Sequence, residues 1–332
     1  MDYSFHDDDN VRDSRQVEKP ALETTLATLQ SIGEDVTAPA LYYGLSGLAP
    51  SDLTHLTPVW EAIEAPKRHT LLTELAEASE LNFEFDYREL GLFALNDPDS
   101  SVREAAIELL WEDESLDLMN RLLDLAHWDE AAQVRAAAVS ALGRFVILGE
   151  YEEISKTEAT RVQDAVIGIL TNDDEDIDVR RRALEAIANS GHDIVNEAIL
   201  DAYNGSEQKM KVSAIFAMGR TYDPEWQDII LREMNSSDPE IRYEAARSAG
   251  ELEIKESVSY LGRLAVDGDR EIQEVAIWSL GEIGGREALR ILSGLAEDTE
   301  ATKDDALLEA IEDAIGNASL VGDDLIFDED DL

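Results

Sequence analysis

Along most of the chain, apolar residues recur at four-residue steps, and each run returns after about 31 positions. Ile272, Ala276 and Leu280 share one helical face, with Gly281 after them. Thirty-one residues earlier stand Ile241, Ala245, Ala249 and Gly250, and 31 before those Met210, Ala214, Met218 and Gly219. Val179, Ala183 and Ile187 keep the same interval, and Val134, Ala138, Leu142, Gly143 and Val102, Ala106, Leu110 extend the series backwards. Steps of four follow the turn of an α-helix, so each run predicts an amphipathic helix with an apolar first residue as its anchor. A second apolar stripe lies between successive anchored runs: Leu116–Leu125, Val162–Leu170, Ile194–Ala202, Ile229–Met234, Val258–Leu264 and Ala288–Leu295. Each unit is therefore a helical hairpin. A hairpin this small cannot bury its apolar face alone, and repetition at this period predicts an all-α solenoid in which neighbours bury it.

Local punctuation supports these elements. Asp97-Pro98, Asp223-Pro224 and Asp238-Pro239 read as helix starts, where a carboxylate accepts from free backbone N–H groups and proline fills a site that needs no donor. Gly143, Gly219, Gly250 and Gly281, nine residues after their anchors, are expected as left-handed helix terminators. Val134 and Val179 are 45 residues apart, so about 14 extra residues between Phe145 and Thr160 predict a longer loop or an added helical turn.

The pattern divides the chain. Residues 1–19 are polar without periodicity and are expected to be a disordered acidic tail. Residues 20–95 are helical but off the frame, with stripes at Leu22, Leu26, Leu29, at Leu56, Val59, Trp60, Ile63 and at Leu71, Leu72, Leu75. They are read as an N-terminal cap, and Thr57-Pro58 within them as a helix start. The array spans 96–316, closing on a degenerate helix marked by Thr302, Ala306 and Ala310, and 317–332 form an acidic C-terminal tail.

Charge changes this picture more than composition does. The formal net charge is −47; removing −3 for residues 1–19 and −6 for 317–332 leaves −38 on the repeats and cap. Such a surface repels phosphate, which argues against nucleic acid and anionic lipid and towards a basic partner, unless the acidity serves general solvation. There is no cysteine, so disulfides, thiolate metal sites and a cysteine nucleophile are excluded. The first residues are acidic without an apolar core, and no apolar run approaches the length of a membrane span. The chain is read as soluble and cytoplasmic.

Two segments carry a resemblance: Asn96-Asp97-Pro98-Asp99-Ser-Ser-Val102-Arg103-Glu-Ala-Ala106 and Leu280-Gly281-Glu-Ile283-Gly284-Gly-Arg-Glu-Ala288-Leu289. They resemble the HEAT-repeat superfamily, in particular its short repeats of the phycobilisome-lyase-like kind. The resemblance implies a right-handed superhelix and a structural ladder between repeats, made by a turn acid and the basic residue after each anchor. Here the basic positions are Arg103, Arg135, Arg180, Lys211 and Arg242, with Gln273 breaking the series, and the acids include Asp99, Asp176, Asp238 and Asp269. It also implies binding surfaces more often than catalysis. Deoxyhypusine hydroxylase, which resembles this architecture, uses His-Glu pairs, but none of His6, His55, His69, His127 or His192 precedes a glutamate. No catalytic residue, cofactor or metal ligand is assigned.

Helix geometry indicates where a partner would sit. Positions two and six after each anchor point away from the core, and in the family implied by the resemblance they face the concave groove. Towards the C-terminus they gather Phe216, Tyr243, Arg247 and Trp278, joined by Arg220 at the tenth position. Aromatic residues and arginine are common interface anchors; the competing reading makes these packing residues between repeats. Leu325, Ile326 and Phe327 with the acids after them either dock in this groove or belong to a solvating tail. The functional expectation is a non-catalytic scaffold for a protein or peptide, with a basic partner suited to the field and an acidic or apolar one to the aromatic–arginine patch. A phycobilin lyase-type enzyme or subunit is the alternative.

Overall fold

The computed structural model describes residues 19–31, 39–302 and 304–323. The expected N-terminal tail, Lys19 apart, and the Leu325–Phe327 cluster with its acids lie outside them. Among the described residues there are helices and turns and no strand. The chain forms two compact units, dividing after Asp113, rather than at the boundary near 95 expected from the periodicity.

The first unit holds α1 (Leu22–Gln30), α2 (Pro39–Leu45), α3 (Leu53–Trp60), α4 (Ala65–Leu81), α5 (Arg88–Ala94) and α6 (Ser100–Leu109), the helix anchored by Val102. Its polar centre is Asp97, which accepts from Arg68 Nη2 and from Trp60 Nε1, both at 2.7 Å, with all three residues buried. Asp97 also receives the backbone N–H of Asp99 at 2.9 Å, so the carboxylate ties α3, α4 and the turn before α6 together. Thr57-Pro58 is not a helix start. Asp52 precedes α3 and its carbonyl already accepts from His55 and Leu56, while the Thr57 hydroxyl turns back to Leu53 O at 2.7 Å. Pro58 consequently sits inside a helix of 8 residues, where its missing N–H deprives one carbonyl of a donor.

The second unit contains α7 (Leu116–Trp128), α8 (Ala132–Glu150), α9 (Lys156–Leu170), α10 (Ile177–Ile187), α11 (Ile194–Asn204), α12 (Gln208–Arg220), α13 (Gln227–Glu233), α14 (Pro239–Glu251), α15 (Val258–Leu264), α16 (Arg270–Ile283), α17 (Gly285–Thr302) and α18 (Asp305–Asp323). The helices pair in order: α7 on α8, α9 on α10, and so on to α17 on α18. The anchored helices α8, α10, α12, α14, α16 and α18 also pack on one another in sequence and form one continuous layer, the inner layer. This is the two-layer α-solenoid that the period predicts. The extra residues after Phe145 lengthen α8 and α9 into helices of 19 and 15 residues, leaving a short turn around exposed Tyr151. By length and composition α8 is apolar enough to cross a membrane, which the sequence reading did not register. Its Val134, Ala138, Leu142 and Phe145 are fully buried, and it packs against α7, α9 and α10.

Gly143, Gly219, Gly250 and Gly281 are not terminators. All four lie inside helices, at points where a neighbouring inner helix comes closest. A Cβ on Gly250 would stand 2.9 Å from Ser279 Cα, and one on Gly281 3.0 Å from Ala314 Cα. Ser248 and Ser279 seal these contacts by donating to Ile215 O and Ala246 O of the preceding inner helix, at 2.8 and 2.9 Å. The left-handed residue falls three positions later, at Tyr222 (φ 53°), Glu253 (φ 49°) and Gly284 (φ 61°).

The last inner helix is also in a different register from the one expected. Asp304 accepts from Leu307 N at 3.1 Å and starts α18, and the buried face is Leu307, Ile311, Ala314 and Ala318; Ala306 is exposed. The length of α17, 18 residues, delays the anchor to Leu307. Because α18 runs through Asp323, the boundary drawn at 317 falls within a helix.

Candidate interaction cleft

Helices α14 and α16 begin alike. Asp238 accepts from Glu240 N and Ile241 N, and Asp269 from Glu271 N, at 2.9 to 3.3 Å. Each cap lies three residues before its anchor and fixes the rotation of the helix that follows. With Ile241, Ala245 and Ala249 buried in α14, and Ile272, Ala276 and Leu280 in α16, the residues between them are turned to the opposite face. Tyr243 and Arg247 are half-buried there, and Trp278 is 39% exposed.

The three helices α12, α14 and α16 enclose a cleft of about 880 Å³. Arg220, Tyr243, Arg247 and Trp278 line it, as the helical arithmetic places them, together with Tyr222, Glu251, Glu253, Glu271, Glu274 and Glu282. Phe216 does not line this cleft. Its ring lies beneath the guanidinium groups of Arg247 and Arg220, at 4.9 and 5.3 Å, and borders a smaller cleft of about 260 Å³ with Ser140 and Glu185. The two arginines converge on Glu251, Arg247 Nε at 3.1 Å and Arg220 Nη2 at 3.4 Å. Both cleft arginines are thus engaged by a carboxylate and a ring, while the lining holds five glutamates against them. The local field is negative. Among the described residues, Glu253, Glu271 and Glu282 have no ion pair, and the rings of Tyr222, Tyr243 and Trp278 have no aromatic partner.

Beside this face lies a half-buried acid that periodicity did not single out. Glu244 on α14 keeps Oε2 without a hydrogen-bond partner. Burial pushes its carboxyl up to about 7; Glu185 and Glu251 add to the rise, and Arg247 and Arg181 oppose it. Its neighbour Glu185 is held by Arg182 at 2.5 Å and by Ser213, whose hydroxyl also accepts from Arg181 Nε at 3.2 Å. Tyr222, Glu253 and Glu282 were likewise missed. The first two occupy the left-handed turns twelve residues after an anchor, a position legible only once the real terminators are known.

The ladder has basic rungs where expected but different acids. Arg135 makes a two-pronged pair with Glu175, with Nη2 at 2.7 Å, and donates to Asp129 O; Arg242 donates to Ser236 O and approaches Asp267 at 3.9 Å. Arg180 holds Leu170 O and Asp173, Lys211 reaches Glu233, and Arg103 donates to Asp97 O and Pro98 O. Gln273, where the charge is lost, still donates to Ala265 O at 3.0 Å. Asp99, Asp176, Asp238 and Asp269 serve as helix caps, accepting from the N–H two residues on. A carboxylate folded onto its own helix start points away from the rung, which explains the division of labour. Burial would raise the Glu175 carboxyl, but the hydrogen bonds and charge of Arg135 hold it below its usual range.

Among the described residues no group of three or more His, Asp or Glu side chains is arranged to hold a metal ion. Residues 228–312, which include α14, α15, α16 and α17, match the family model for HEAT repeats. That stretch of the chain is similar to HEAT repeats. Curated protein sequences gave no match. Similar solved structures include Escherichia coli YibA, at 16% identity over 90% of this chain and 97% of that one, with a TM-score of 0.41. Human deoxyhypusine hydroxylase in complex with glycerol is similar at 15% identity, covering 79% of this chain and 96% of that one, with a TM-score of 0.35. A Kap95:Nup1 complex is similar at 14% identity over 90% of this chain and 46% of that one, TM-score 0.44.

Proposed function

We propose that this protein is a non-catalytic interaction scaffold that takes a protein or peptide in the cleft of α12, α14 and α16, on the concave side of its array, and that the partner is basic. The observation carrying this reading is the lining itself: rings exposed beside five glutamates, with the only two arginines already paired to Glu251. Aromatic side chains left at a surface supply contact area at low entropic cost, and unpaired carboxylates around them select positive charge. An acidic partner would have to displace Glu251 from both arginines, which disfavours it.

The test is a pull-down from the source cell's lysate with wild type, with Tyr243→Ala/Trp278→Ala and with Glu271→Gln/Glu282→Gln, each checked for helicity by circular dichroism. A partner retained by wild type and lost by both folded variants supports the cleft. A partner bound equally by all three refutes it.

A further inference from the structure

The inner face contains its own example of how it holds a cation. Phe216, at the sixth position of its repeat, is covered by Arg220 one turn later in the same helix and by Arg247, the sixth residue of the next repeat. Glu251 pairs with both. Ring, carboxylate and guanidinium are satisfied together, a combination in which cation–π and charge-assisted contacts reinforce each other.

Two repeats on, the ring returns without its cation. Trp278 lies six residues after the α16 anchor Ile272, and the residue one turn later, where Phe216 has Arg220, is Glu282. The following repeat is α18, whose register is set by the Asp304 cap and by Gly281 against Ala314. Six residues after its anchor Leu307, where Phe216 finds Arg247, stands the exposed Asp313. Both cation positions around the ring have become acids. Glu271, Glu274 and Glu282 lie on the same stripe of α16 as Trp278, at helical spacings of seven and four before it and four after it. Among the described residues, Glu274 alone of these is neutralised, by Arg270 at 2.5 Å.

We infer that the open face of Trp278 is a receptor for an arginine side chain of the basic partner, the guanidinium stacking on the indole and pairing with Glu282 one turn along α16. The inference rests on the cleft being the binding site and names what enters it. Arginine is assigned over lysine because the internal template uses guanidinium on both sides of Phe216, and a planar fork meets ring and carboxylate together in a way a point ammonium does not.

The test uses the full chain with ¹⁵N-labelled tryptophan, the Trp278 indole signal being identified by its loss in Trp278→Phe. The protein is titrated with acetyl-Gly-Arg-Gly-amide and with the same peptide carrying lysine or citrulline. The expected result is a saturable shift of the Trp278 signal with the arginine peptide. Citrulline, isosteric and uncharged, should bind about tenfold more weakly or worse, and Glu282→Gln should weaken arginine binding by about tenfold, as loss of a charge-assisted contact implies. An unmoved Trp278 signal, equal binding of citrulline or lysine, or indifference to Glu282→Gln would overturn the assignment. If the lysate partner needs Tyr243 and Trp278 while all three peptides fail, the cleft reading stands and the arginine receptor falls.

Discussion

Replacing Glu244 by glutamine isolates one group's contribution to the pH dependence of folding. The native carboxyl titrates near 7 because it is buried, whereas its ordinary value is 4.5. A raised acid pKa means that the folded chain holds the proton more tightly than the unfolded one. Stability is then undiminished below pH 4.5, falls as pH rises towards 7, and is flat above it. At about 1.4 kcal/mol per pH unit, the gap between the two values makes the penalty about 3 kcal/mol at pH 8. Glutamine has nearly the same shape and no charge to desolvate. Urea denaturation of wild type and Glu244→Gln, followed by circular dichroism at several pH values from 4.5 to 8, measures the difference with every other titrating group held in common. The variant's advantage should grow by about 3 kcal/mol between pH 4.5 and 8, whatever constant offset the amide introduces. A difference that stays level across this range, or that grows as pH falls, would show that Glu244 is ionised in the folded chain and that its burial is overstated.

Three further outcomes follow from the packing. Gly250→Ala should destabilise by about 1–3 kcal/mol, since its Cβ would meet Ser279 Cα at 2.9 Å, and the same change at Gly168, which faces open space in α9, should stabilise by up to about 1 kcal/mol; melting curves of the two variants decide the sign. Asp97→Ala leaves the buried Arg68 guanidinium without its carboxylate and should cost about 3–5 kcal/mol in urea denaturation, while Asp99→Ala, which loses only a helix cap, should cost about 1 kcal/mol. Arg135→Lys keeps the charge but loses the two-pronged pair with Glu175, so the Glu175 carboxyl should titrate higher in the variant by carbon NMR, since burial then meets weaker opposition.

The fold was legible because two signals agreed: a four-step apolar face and a period that returned it. Both depend on local helix geometry, which sequence spacing reports directly. The same arithmetic placed Arg220, Tyr243, Arg247 and Trp278 on one face, and the structure brings these four to one cleft. It misplaced Phe216 because a face assignment does not say which neighbouring side chain will cover a ring. The glycines show a related limit. Gly219 and Gly250 occur near helix ends and look like terminators, but what selects them is a helix 31 residues away, and a close approach leaves no mark within one repeat. Glu253 and Tyr222 take the strained turn instead, against a preference of about 1–2 kcal/mol, so residue type misled there. Asp238 and Asp269 were placed in the right turns with the wrong partner: a carboxylate three residues before an anchor can reach a rung or a backbone N–H, and only geometry separates the two.

The contacts at Gly219, Gly250 and Gly281 have a metrical consequence. At Gly250 and Gly281 neighbouring inner helices meet with only serine or alanine opposite and no long side chain between them to act as a spring, while at Gly219 the Glu251 side chain also reaches the contact. Their separation is therefore a property of the polypeptide itself and barely adjustable. Every side chain at the sixth position rides on that fixed interval, so the rings and charges of this face stand like marks on a graduated scale whose spacing the main chain sets.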